Sequence, residues 1–227
     1  MDDPPSTATI IEIRNAPRGR QRVIVLSDGR ELLFSEETCE RVGVTEGGVA
    51  DPALLDALEA SEHRVNAHEA ALRLLSYRAR SEHEMRTRLT MRGILPAVID
   101  EEIERLRRSG LLDDEKFARA WVEDRKRIAP RGRRMLRYEL LGRGIEAESI
   151  ELVTRDIDDR ETAVDLARNR ARKISTADYH TFFSRMTSFL QRRGFDYEVT
   201  ADAARTAWEE LSGDRESGSK DAFETSA

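Results

Sequence analysis

Arg125, Lys126, Arg127, Arg131, Arg133, Arg134 and Arg137 put seven cations within 13 residues of this chain. Guanidinium and ammonium groups at that density suit nucleic-acid phosphates, which they hold by charge and by bidentate hydrogen bonds without reading bases. Arg133 and Arg137 share a helical face with Arg134 beside them, and the cluster flanks Pro130, so a loop and the start of a helix would present it. The competing reading is an ordinary solvated surface. Trp121 and Tyr138 are the nearest aromatic residues, and Trp121 falls on an apolar stripe with Phe117. Bases therefore have no stacking platform, and backbone electrostatics would dominate any affinity.

Asp113-Asp114-Glu115-Lys116 resembles the carboxylate and lysine set with which nucleases hold a metal for phosphodiester cleavage. Those groups need a strand-built scaffold, whereas here they open a helix at Phe117, where acids in the cap and first turn stabilise by about 1 kcal/mol. Capping is the expected role. Cys39 is the single cysteine, and the four histidines, His63, His68, His83 and His180, lack ligand spacing, so neither disulfide nor metal is expected. Cys39 reads as a small buried apolar residue. With no Walker-type phosphate loop, no Gly-x-Ser-x-Gly and no histidine-based catalytic arrangement, the chain reads as a non-enzyme without a cofactor.

Charge is unevenly spread. Residues 64–145 hold 20 Lys and Arg against 13 Asp and Glu, or +7, which leaves −13 on the remainder of a chain whose net charge is −6. A polyanion would be drawn to the middle and repelled by the flanks. The longest apolar runs are only a few residues, as at Val23 to Leu26, far short of the roughly 20 that span a bilayer. The start, Met1-Asp2-Asp3-Pro4-Pro5, lacks a basic and apolar leader, so no membrane association and a cytoplasmic location are expected.

These groups would stand on the following elements. Thr9 to Ile13, Arg22 to Leu26 and Glu31 to Phe34 read as a three-stranded antiparallel piece, with a type I′ turn at Asp28-Gly29. Ser35 caps a short helix through Val42, and Gly43 ends it, turning Val44 back onto Cys39. Asp51-Pro52 opens a helix expected to run, with interruption, through Leu75. No strand signal returns after that.

Three hexamers then repeat: Leu89 to Ile94, Leu140 to Ile145 and Leu190 to Phe195 each read Leu, two residues, Arg, Gly and a large apolar residue, at offsets of 51 and 50 residues. An apolar residue precedes each leucine by four: Met85, Leu136 and Met186. The pattern encodes a helix end, with Gly93, Gly144 and Gly194 in the left-handed conformation that costs an L-residue about 1 to 2 kcal/mol. Arg92, Arg143 and Arg193 then sit at helix C-termini, as caps or as ligand contacts. Ser81 with Glu84 makes a capping box before the first stop, and Ser175 with Asp178 a weaker one before the third. Helical spacing before and after each stop gives every unit three helices.

The chain is therefore expected to be mainly α, with three tandem three-helix repeats in elongated, helix-turn-helix-like units after a small antiparallel β-rich N-terminal extension. The expected divisions are a disordered 1–7, a β-rich 8–50, a linker or helix at 51–64, repeats at 65–111, 112–160 and 161–212, and a disordered tail at 213–227.

The residues resemble the RecX recombination regulators of bacteria, which restrain the RecA recombinase. The resemblance rests on Ser81 to Leu89 with Arg92-Gly93-Ile94, on Gly110-Leu111-Leu112-Asp113-Asp114-Glu115-Lys116-Phe117-Ala118, and on Gly132 to Leu140 with Gly144-Ile145. It covers residues 67–158, is weaker in the third unit, and does not reach the β-rich extension, which many family members lack. It implies a curved, modular helical monomer in the cytoplasm. Such a protein lies in the groove of the RecA filament on single-stranded DNA, blocks its extension, promotes its disassembly and lowers its ATP-dependent activities. That role belongs to DNA repair, recombination and the SOS response. Arg143 joins the seven clustered cations as a candidate nucleic-acid or filament contact. The alternative is a sequence-specific helix-turn-helix transcription regulator, since a turn before a basic helix also describes that motif. A helical scaffold without DNA affinity is a third possibility.

Overall fold

The computed structural model describes residues 8–17, 19–174 and 178–224. Two compact units divide it, Met1–Leu112 and Asp113–Ala227.

In the first unit, β1 (Ala8–Asn15), β2 (Gln21–Leu26), β3 (Glu31–Ser35) and β4 (Val49–Ala50) form one antiparallel sheet in the order β3-β2-β1-β4. Strand alternation sends Ile10, Ile24, Leu26 and Phe34 to one face, where Cys39 of α1 (Glu36–Val42) and Leu58 of α2 (Pro52–Tyr77) close the core. The fourth strand is too short to leave a sequence signal. The β2–β3 connection departs from the expected type I′ turn, because no non-glycine residue among those described has a positive φ and within this connection only Gly29, at 84°, does. The Asp28 carboxylate instead accepts from the Arg30 N–H and pairs with its Nε, which fixes a longer loop.

α2 runs without the expected interruption. Leu58, Ser61, Val65, Ala67, Ala70, Ala71 and Leu74 keep a buried helical stripe going where small or polar residues dilute the apolar pattern. One end of this helix serves the sheet, and the other builds the first module with α3 (Glu82–Thr90) and α4 (Pro96–Arg108) around Met85, Leu89, Ile103 and Leu106.

The second unit holds two more modules. α5 (Asp114–Ile128), α6 (Arg133–Leu141) and α7 (Ala147–Thr154) enclose Phe117, Val122, Leu136, Leu140 and Ile150. α8 (Asp159–Ala171), α9 (Tyr179–Gln191) and α10 (Tyr197–Glu224) enclose Phe182, Met186, Leu190, Phe195 and Ala204. At 8 to 15 residues, α5 to α9 are too short to be stable alone, so burial of these faces supplies the stability. No helix among the described residues is long and apolar enough to cross a membrane.

All three stops share one geometry. Gly93, Gly144 and Gly194 have φ of 78°, 76° and 91°, and the N–H of the following residue donates back to the leucine carbonyl: Ile94 to Leu89, Ile145 to Leu140 and Phe195 to Leu190. Their surroundings differ. A Cβ on Gly93 would meet nothing within 4 Å, whereas one on Gly194 would lie 2.4 Å from the Met135 Cβ. A Cβ on Gly132 would lie 2.5 Å from the Gly194 carbonyl oxygen, and the Gly132 N–H donates to the Arg193 carbonyl at 2.9 Å. The second and third modules are thus joined backbone to backbone through two glycines.

Two other expectations change. Asp178 caps α9, its carboxylate accepting from the Thr181 N–H, where the sequence placed it inside a capping box begun by Ser175; Ser175 itself lies outside the described residues. α10 extends to Glu224, through most of the tail expected to be disordered. A helix nucleated by residues packed up to Leu211 gains a hydrogen bond for each residue it adds, a term that composition omits. The segment 1–7 lies outside the described residues.

Candidate nucleic-acid interface

α5, the loop after it and α6 carry the clustered cations. Asp113 starts α5, its carboxylate accepting from the Lys116 N–H at 2.9 Å, and that bond holds its pKa below the ordinary carboxylate value. Asp114 lies in the first turn, and Phe117 is buried in the module core.

Glu139 on α6 organises one half of the cluster. Its Oε2 accepts from Arg125 Nε at 2.7 Å and from the Trp121 indole N–H at 2.9 Å, while Arg131 Nε stands 3.7 Å from Oε1. The Trp121 ring stacks on Phe117 and is covered by two guanidiniums, Arg125 at 4.2 Å and Arg143 at 3.5 Å from the ring centroid. Arg143 also donates to the Glu139 carbonyl at 2.8 Å. Trp121 is therefore only half buried, the centre of a cation–aromatic–carboxylate stack at the edge of the core.

Arg133 is engaged as well. Its Nη2 donates to the carbonyls of Arg155 and Ile157 beyond the end of α7, and its backbone N–H donates to the Asp159 carboxylate at 2.9 Å. Asp159 thereby caps α6 from the first turn of α8. Burial raises its pKa, and the Arg133 N–H opposes that rise.

Lys126, Arg127, Arg134 and Arg137 remain at the surface. They make outer contacts with Glu123, Asp124, Asp196 and Glu151 at 3.3 to 4.0 Å. Exposed pairs of this kind contribute about 0 to 1 kcal/mol and yield readily to a stronger anion. Of the eight candidate contacts, Arg125, Arg131, Arg133 and Arg143 are committed inside the fold and these four are open to a partner.

Counting by large segments missed a second set. Residues 166–193 hold seven Lys and Arg and one acid, Asp178, within the flank that is acidic on average. A short sliding window of net charge would have found it. Arg170 and Lys173 at the end of α8, with Ser184, Arg185, Ser188, Phe189 and Arg192 along α9, line a groove of about 510 Å³. Arg193, the third of the Arg-Gly arginines, lies 4.3 Å over the Phe189 ring, and burial together with Arg131, Arg170 and Arg192 lowers its pKa.

Cys39 is buried in the core of the first unit, and burial and the nearby Glu62 push its thiol up, away from nucleophilic use.

Family models described as the first, second and third three-helix domains of RecX match residues 67–106, 113–153 and 158–204. Regulatory protein RecX of Mycobacterium sp. (strain JLS) is 37% identical over 157 residues, covering 66% of this chain and 84% of its own. That of Geobacillus thermodenitrificans is 29% identical over 201 residues, 85% of this chain and 75% of its own. The crystal structure of a regulatory protein RecX superposes with a TM-score of 0.67 at 21% identity, over 85% of this chain and 96% of that one. RecX from Lactobacillus salivarius gives 0.59 at 23%, over 65% and 97%.

Proposed function

The chain belongs to the RecX family of regulatory proteins, and from that premise we propose that it binds the RecA recombinase filament on single-stranded DNA and restrains it. Acting in the cytoplasm as a monomer, it limits filament extension and lowers ATP turnover and strand exchange without a reaction of its own. The observation that carries this reading is the tandem of three family-matched modules, repeated at 51 and 50 residues. A filament presents equivalent sites at regular intervals, and a chain of equivalent modules gains effective concentration from each further contact. The exposed Lys126, Arg127, Arg134 and Arg137 are the second module's contribution to the filament contact. Arg125, Arg131, Arg133 and Arg143 position the helices that present them.

The test is RecA-driven strand exchange and DNA-dependent ATP turnover with rising amounts of the protein. Both should fall to a plateau. Unchanged rates at saturating protein would contradict the proposal, and a preference of about 10³-fold for one duplex sequence over random DNA would favour a transcription regulator instead.

A further inference from the structure

The groove between the end of α8 and the face of α9 is built differently from the second-module cluster. Arg170, Lys173, Arg185 and Arg192 line it with two serine hydroxyls, and no carboxylate does. None of these four cations forms an ion pair among the described residues, whereas Arg168, two residues before Arg170, is held by Glu210 and Asp165. On a chain of net charge −6, four cations gathered without counter-charge repel one another, and the fold keeps them together. The half-buried Phe189 fixes the floor, with the Arg170 guanidinium 5.2 Å and the Arg193 guanidinium 4.3 Å from its ring centroid. The groove lined by Arg133, Arg134 and Arg137 and those around Glu101 and Asp158 each include acidic residues.

We propose that this groove is a site for the phosphodiester backbone of a nucleic-acid strand, with Arg170, Lys173, Arg185 and Arg192 as its cationic contacts and Ser184 and Ser188 as hydroxyl donors. Serine hydroxyls and guanidiniums are the common donors to phosphate oxygens, and they fix register without reading sequence. Arg185 and Arg192 stand seven residues apart on α9, about 10 Å along the axis. That length suits a chain of phosphates rather than a single one. The groove holds this role whether or not RecA is the regulated partner.

The test uses the full chain, without RecA, and a fluorescent oligothymidylate of about 20 nucleotides, with anisotropy read between about 50 and 200 mM salt. Replacing Arg185→Ala and Arg192→Ala together should weaken binding at least about tenfold and reduce the magnitude of the log–log salt slope by about 1.4, the value for two contacts to a single strand. Arg41→Ala with Arg119→Ala should change affinity less than about twofold, since each of those side chains is paired within its own helix, to Glu37 and to Glu115. All four positions are exposed, and matched thermal melting curves verify that the variants fold. Unchanged affinity and slope in the Arg185/Arg192 variant would overturn the assignment, as would equal losses in both variants. Loss of polyglutamate binding with oligonucleotide binding intact would also overturn it and point to an acidic protein. Because RecA is absent, failure here leaves the filament reading to its own assay.

Discussion

In the second module Arg125 and Arg131 close on Glu139, Arg133 satisfies carbonyls beyond the end of α7, and Arg143 lies across Trp121. In the third, Arg170, Lys173, Arg185 and Arg192 line a groove that contains no carboxylate. Two basic stretches therefore do different work: half of the cations of one hold helices together, while four cations of the other line a groove without counter-charge. Local pairing, more than cation count, decides whether a basic segment is a structural device or a binding surface.

The difference can be broken at four points. The largest effect falls on the joint that holds the two modules in one body. Gly194→Ala adds a clash with Met135 to the cost of the left-handed backbone and should lose about 3 kcal/mol, against about 1 for Gly93→Ala. Urea unfolding of the two variants makes the comparison, and equal losses would remove the close approach as a cause. Next, Glu139→Ala strands Arg125 and Arg131 and frees the Trp121 N–H, so about 2 kcal/mol should be lost by the same measurement. A change within noise would mean that the second cluster is solvated after all. Asp113→Ala should cost about 1 kcal/mol at neutral pH. Its folded pKa lies below the ordinary carboxylate value, so the stabilisation is present above that value and disappears as pH falls through the folded pKa. The gap between variant and parent should close in acid melts. Smallest of all, Arg185→Ala with Arg192→Ala should shift stability by no more than about 0.5 kcal/mol. A larger loss would show that the third-module cations are structural too.

Much of the fold could be read from residue spacing because helix ends are encoded locally. A leucine, a glycine in the left-handed region and an apolar residue after it are sufficient to specify each stop. Ser35 and Asp51 were legible as caps for the same reason, since a side-chain oxygen reaches an N–H only three residues on. What stayed hidden was long-range. The continuity of α2 depends on Ser61 and Val65 being buried by neighbours, and the turn at Asp28 on a carboxylate that competes for the Arg30 N–H. The partners of the basic cluster were hidden in the same way: Glu139 meets Arg125 from another helix, and Asp159 reaches the start of α6 from 26 residues away. The third-module groove was obscured by averaging over a long flank that is acidic in total, although no carboxylate lines the groove itself.

Engagement of the recombinase filament is what the proposed role requires, and it is read by co-sedimentation of the full chain with RecA filaments assembled on single-stranded DNA. The protein should pellet with the filaments to a saturable ratio. Retention in the supernatant while the filaments pellet would contradict the claim.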